Sequence, residues 1–267
     1  MKLTPILFAS HGGGPLPLLN RDEATRTHLA SLQNELEEKP KAIIVISAHW
    51  EADPVRVSAS AQPELLFDYY GFPDESYTYK YPVPGSPKLA ATIVDLIQNQ
   101  GIDATLDAER GLDHGVFVPL MLAFPHNTDI PVVAVSLHAS LDPQKNALIG
   151  KALNPLRAQG YLIIASGMTF HNMRAFNFTA TKATHGLEFD AALRQLILHS
   201  ESASVRLQKL LKWESLPEAR FAHPREEHFI PLIVAVAADA ATPTSSLPKL
   251  IFNENFCGAQ VSAFRFG

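Results

Sequence analysis

The chain has 267 residues, of which 46% are apolar and 18% charged, with a net charge of −5 and an isoelectric point near 6.1. That composition supplies a sizeable core and excludes a disordered chain, and neither the charge nor any run of Lys and Arg points to nucleic acid. The single cysteine, Cys257, excludes an internal disulfide framework and a thiolate zinc site, so any metal must be held by His and carboxylates.

Taken in chain order, the pattern is one of alternating strands and helices. The apolar stretch near the N-terminus is too short for a signal-peptide core, and no later window reaches about 18 uninterrupted apolar residues. No membrane association is therefore expected, and the cytoplasm is the default location. Residues 6–9 read as a first strand, ending in SHGGG at 10–14. A helical pattern covers 22–38. Residues 42–47 read as a second strand, ending in SAHW at 47–50. The Pro-rich segment 81–87 leads into a helix over 87–99, with Ser86 as N-cap and Pro87 at the first helical position. In GLDHGVFVP at 111–119, Asp113 reads as the N-cap of a helix over 115–123. A third strand over 131–137 ends in SLH at 136–138, and a helix over 143–158 follows. A fourth strand, 161–166, ends in SGMTFHN at 166–172. Helices over 186–199 and 229–240 follow, the second opened by His228 just after Glu226 and Glu227. The alternating segment 261–266 reads as a closing edge strand.

The strand runs are continuously apolar, as strands buried on both faces are. With helices between them, they predict a single-domain α/β fold over 1–267, with a mostly parallel sheet flanked by helices. Ligands of such sheets bind beyond the carboxyl ends of the strands. Four strands each carry a histidine toward that edge: His11, His49, His138 and His171. Imidazole is the commonest side-chain ligand of transition metals, and recurrence at equivalent places points to a shared metal site. His28 and His199 fall in helical patterns, and His126 and His185 in polar loops, so all four read as incidental. The glycines after His11 let the backbone turn away from its ring. They match neither a P-loop nor a dinucleotide fingerprint. His114, flanked by Asp113 and Gly115, is placed to act as acid or base, or else to satisfy a helix end. Spacing leaves open whether Glu227 or His228 faces the site. The aromatic run at Phe67, Tyr69, Tyr70 and Phe72 suits either a planar ligand or a packed cover.

Six segments in chain order, SHGGG (10–14), ISAHW (46–50), YPVPGSP (81–87), GLDHG (111–115), SGMTFHN (166–172) and HPREEHFIP (223–231), resemble those of the LigB-type (class III) extradiol dioxygenases, nearest the DOPA 4,5-extradiol dioxygenase subgroup. The resemblance spans nearly the whole chain. It implies a non-haem Fe(II) enzyme that uses O₂ to open a catechol-type ring beside its hydroxyls, giving a semialdehyde, with Zn(II) able to occupy the site in purified protein. It also implies His11, His49 and His228 as metal ligands, His171 as a further ligand or an acid/base, and His114 as a second catalytic histidine. In the wider class two His and one Glu hold the iron, which keeps Glu227 in view. Two readings compete on the same residues: a zinc hydrolase or amidase activating water, and a non-catalytic divalent-metal binding protein.

Overall fold

The computed structural model describes residues 3–126, 129–242 and 246–267. Among these, strands β1 (Ile6–Ser10), β2 (Ala42–Ala52), β3 (Val55–Ser58), β4 (Ala104–Asp107), β5 (Val132–His138), β6 (Tyr161–Gly167), β7 (Lys249–Phe256) and β8 (Ala259–Phe266) form one sheet in the order β4-β3-β5-β2-β6-β1-β8-β7. The central run β5-β2-β6-β1 is parallel, as is β3 with β4. The β3–β5, β1–β8 and β8–β7 pairings are antiparallel.

The helices are α1 (Glu23–Ser31), α2 (Pro87–Gln98), α3 (His114–Ala123), α4 (Pro143–Arg157), α5 (Leu187–His199), α6 (Ala203–Leu210), α7 (Ala219–Ala222) and α8 (Ile230–Ala240). None of the described helices is long and apolar enough to cross a membrane. Successive strand residues point to opposite faces, and the core divides accordingly. Phe8, Ile44, Ile46, Val133, Val135 and Ile163 pack with α2, α4 and α8. Leu7, Ile43, Val45, Val132, Leu162 and Ile164 pack with residues of α1 and α3 on the other face. Both faces are covered, so the strands show no polar alternation. Helix α8 is buried over Ile230–Asp239 and packs tightly on α4, where a Cβ on Gly150 would lie 2.2 Å from the Val234 carbonyl oxygen.

Several elements differ from the sequence reading. Helix α1 stops at Ser31, whose Oγ donates to the His28 carbonyl at 2.7 Å, and the chain tightens into a 3₁₀ turn over Leu32–Glu35. The last strand is internal, lying between β1 and β7, so β7 is the edge on that side. Ser86 does cap α2, accepting from the Leu89 N–H. Strand β2 runs on to Ala52, but its register with β5 breaks. Ile46 pairs with Val135 and Glu51 with Leu137, so residues 47–50 face Ser136 alone. Such a bulge re-aims side chains, and this one carries His49.

Away from the carboxyl edge, His28 of α1 stacks on Phe252 of β7 with ring centroids 4.5 Å apart. Neither ring nitrogen has a hydrogen-bond partner among the described residues, and burial pushes the imidazole pKa down to about 4. Its ordinary value is about 6.5, so the unfolded chain binds this proton more readily. The stability that neutral His28 supplies is complete above about pH 6.5 and is lost as pH falls toward 4. His28→Phe keeps the stack without the charge. Its stability advantage over wild type is expected to grow by about 2 kcal/mol between pH 8 and pH 5, at ~1.4 kcal/mol per pH unit. Urea midpoints at both pH values test this, and an advantage that does not change with pH would contradict it.

Candidate metal centre

The carboxyl ends of β1, β2 and β6 and the starts of α3 and α8 bring five histidines into one cluster. His11 follows β1 and is fully buried. His49 sits in the β2 bulge, and its Nε2 lies 3.2 Å from His11 Nε2 and 3.3 Å from His228 Nε2. The His11, His49 and His228 ring centroids are 4.8–5.3 Å apart. His114, first residue of α3, has its ring 3.9 Å from that of His49. His171, beyond β6, stacks on His228 at 3.4 Å and 16°. Ring nitrogens of His11, His49 and His114 lie within 4.8 Å of one another, as do the ligand atoms of His171, Glu227 and His228, and the His49–His228 contact joins the two groups.

The outer partners settle where the protons are. Pro119 inside α3 has no N–H, so the Gly115 carbonyl four residues earlier lacks its helical donor. The Ser166 hydroxyl fills that place, donating to Gly115 O at 2.5 Å. With its one proton committed, Ser166 Oγ accepts from His11 Nδ1 at 2.9 Å. His11 therefore carries its proton on Nδ1 and a lone pair on Nε2. His228 Nδ1 donates to the Glu227 carboxylate at 2.9 Å, which likewise leaves a lone pair on Nε2. Two such lone pairs face His49 Nε2, and one proton on His49 could satisfy only one of them. A cation at the centre satisfies all three. Two nitrogens each ~2.1 Å from one ion and about 100° apart lie roughly 3.2 Å from each other, which matches both contacts.

Electrostatics keep these rings neutral, the state a metal ligand requires. Burial first, then the neighbouring imidazoles, hold His11 and His228 well below the usual imidazole range. Burial and then His114, partly offset by Asp68, push His49 down to about 3. Glu227 accepts from both His228 Nδ1 and His171 Nδ1 (3.2 Å) and pairs with Arg225. Burial alone would raise its carboxyl pKa, but the His171 hydrogen bond, a backbone N–H and the Arg225 charge outweigh it, and the net shift is downward. Glu227 thus lies behind the two rings while His228 faces the cluster. Close packing holds this corner, since a Cβ on Gly167 would come within 2.3 Å of the His228 carbonyl oxygen.

Two expectations from sequence are corrected. His138 does not join the cluster. Its Nδ1 accepts from the Ser140 N–H at 3.1 Å, and its Nε2 faces Lys145 and Asp53. Asp113 occupies the N-cap position without capping, because its carboxylate accepts from Ser47 Oγ and Arg110. The residue that sequence reasoning missed is Asp68. It reaches across from the aromatic loop to accept from both the N–H and the Nδ1 of His114. In that loop Phe67, Tyr69 and Phe72 pack as a cover with Tyr77 and Phe117, while Tyr70 is exposed.

The model of the catalytic LigB subunit of aromatic ring-opening dioxygenases matches residues 4–262. The chain belongs to the LigB family of aromatic ring-opening dioxygenases. This LigB-family chain is 39% identical over 257 residues to dioxygenase tasH of Hapsidospora irregularis, covering 89% of this chain and 79% of that one. It is 38% identical over 234 residues to the 4,5-DOPA dioxygenase extradiol of Beta vulgaris, covering 86% and 85%. An uncharacterized Escherichia coli K12 protein of known crystal structure superposes with a TM-score of 0.77 at 25% identity, over 99% of this chain and 100% of that one. LigB-family dioxygenases depend on a metal, and the histidine cluster supplies a donor set suited to one.

Proposed function

We propose that the whole chain, residues 1–267, is one catalytic domain that acts as an Fe(II)-dependent extradiol dioxygenase, opening a DOPA-like or related catechol to a semialdehyde. The observation that carries this reading is the convergence of the His11, His49 and His228 Nε2 atoms, at 3.2 and 3.3 Å, with the His11 ring backed by Ser166 and the His228 ring by Glu227. These three residues would hold the metal, and His171, stacked on His228, stands at its edge. Bound Fe(II) would act as a Lewis acid that lowers a catechol hydroxyl pKa, with open positions for substrate oxygens and O₂.

The remaining work falls to the protein's own groups. His114, its Nδ1 proton given to Asp68, presents Nε2 to take a proton from the substrate hydroxyl and return it during ring opening. His171, its Nδ1 held by Glu227, is the second proton carrier at the rim. The two differ in access, since His114 is buried while the His171 side chain is 20% exposed, so the rim ring is the one that exchanges protons with solvent. The aromatic loop packs over Gly14 on the other side, with Phe72 3.2 Å from where a Gly14 Cβ would be.

The test is anaerobic reconstitution with Fe(II), followed by oxygen uptake over a panel of catechols. One O₂ consumed per catechol, with a yellow ring-opened product, is expected. Metal uptake without oxygen consumption for any catechol would instead leave a metal-binding protein, and hydrolysis by the zinc-loaded form would favour the hydrolase.

A further inference from the structure

Asp68 lies 46 residues from His114 in sequence, in the loop between β3 and α2. One of its oxygens, Oδ1, accepts two hydrogen bonds from the same residue: the His114 backbone N–H at 2.9 Å and the His114 ring Nδ1 at 2.8 Å. The other oxygen, Oδ2, lies 3.6 Å from His49 Nδ1. The carboxylate is itself confined. Its side chain is 19% exposed, and its chain neighbours Phe67 and Tyr69 pack edge-on against each other, with Phe67 edge-on and Tyr69 tilted against Phe117.

From this arrangement we infer that Asp68 is the positioning residue that fixes the tautomer and aim of His114, holding its proton on Nδ1 so that Nε2 meets substrate as a bare lone pair. The inference rests on the role given to His114 above. The physical reasons are three. The backbone N–H of His114 is one of the unsatisfied donors at the start of α3, and the Asp113 side chain, at the N-cap, serves no helix-end donor because it is turned away to Ser47 and Arg110. Asp68 supplies the missing acceptor from another loop. A carboxylate is acceptor-only, so the ring nitrogen beside it must be the protonated one. Both bonds end on a single oxygen, so the backbone N–H of His114 fixes the carboxylate oxygen that accepts from its ring. Asp68 thus does for the proton carrier what Ser166 does for His11 and Glu227 for His228. The difference is that its second oxygen also faces His49, which links the proton carrier to the ring beside it.

The test uses the full-length protein with ¹⁵N-labelled histidine, loaded with diamagnetic Zn²⁺, and long-range ¹H–¹⁵N spectra that report the tautomer of each ring. Wild-type His114 is expected to be protonated on Nδ1. In Asp68→Ala that preference is lost. In Asp68→Asn, whose amide oxygen can still accept both bonds, it survives. In steady-state turnover with Fe(II), Asp68→Ala is expected to lower kcat ~10–100-fold, the range seen when an outer partner of a site histidine is removed. KM should change far less, and Asp68→Asn should recover part of the loss. A wild-type His114 protonated on Nε2 overturns the inference with no variant needed, so a misfolded Ala variant does not shield it. An Asp68→Ala protein with the Nδ1 tautomer intact and kcat within about threefold of wild type also overturns it. The spectra need no dioxygenase activity, so a failure of the catechol reading is seen separately, as an inactive wild type whose His114 tautomer is still set by Asp68.

Discussion

His49→Ala is expected to abolish stable metal binding and, with it, ring opening. His49 is the hub of the cluster, since its Nε2 is the atom within 3.3 Å of both His11 and His228. Without it those two rings, with centroids 5.3 Å apart, keep their outer partners but lose the nitrogen that closes the donor set. Removing an outer partner costs about 10–100-fold in metal affinity or activity, and removing one of the proposed ligands should exceed that. The fold should survive. The ring lies in the bulge between the register-matched parts of β2, its side chain is 22% exposed, and it belongs to neither apolar core. The measurement is metal content after dialysis against a weak chelator, alongside thermal unfolding. A folded His49→Ala protein that holds one equivalent as tightly as wild type would falsify the ligand set.

His114→Ala is expected to do the opposite: keep the metal and lose turnover. General acid–base transfer by a placed side chain contributes ~10²–10⁴-fold, and kcat should fall by that order. His114 also groups with His11 and His49, with ring nitrogens within 4.8 Å, so metal content is the discriminating readout. Loss of the metal in this variant would make His114 a ligand and overturn its role as a proton carrier alone.

Much of this arrangement was legible in the chain, for reasons that are local. Continuous apolar runs identified the four central parallel strands, because each is buried on both faces. The glycines after His11 and the Ser86–Pro87 start of α2 follow from backbone chemistry alone. What escaped is what depends on contacts distant in sequence. Strand β3 and strand β4 have only four residues each, too few for a period to show. The continuous apolar run ends at residue 47, while strand β2 runs on through its bulge to Ala52. His138 looked like His11 and His49 since all three end strands, but strand ends do not fix ring direction, and its neighbours Ser140 and Lys145 capture it. Asp68 left only a faint signal, an acid between two aromatic residues, and its partner is 46 positions away.

Pro119 has a consequence beyond helix geometry. The proline starves one carbonyl of its usual donor, and a serine hydroxyl from β6 answers, which in turn dictates which nitrogen of His11 stays bare. Substituting alanine there would repair the α-helical ladder, since the new amide would reclaim Gly115 O. Ser166 would then be at liberty to donate toward His11 Nδ1 and drive that ring's proton onto the face where the ion should sit. A better helix would thus make a poorer metal site, which equilibrium dialysis of Pro119→Ala against the parent would reveal.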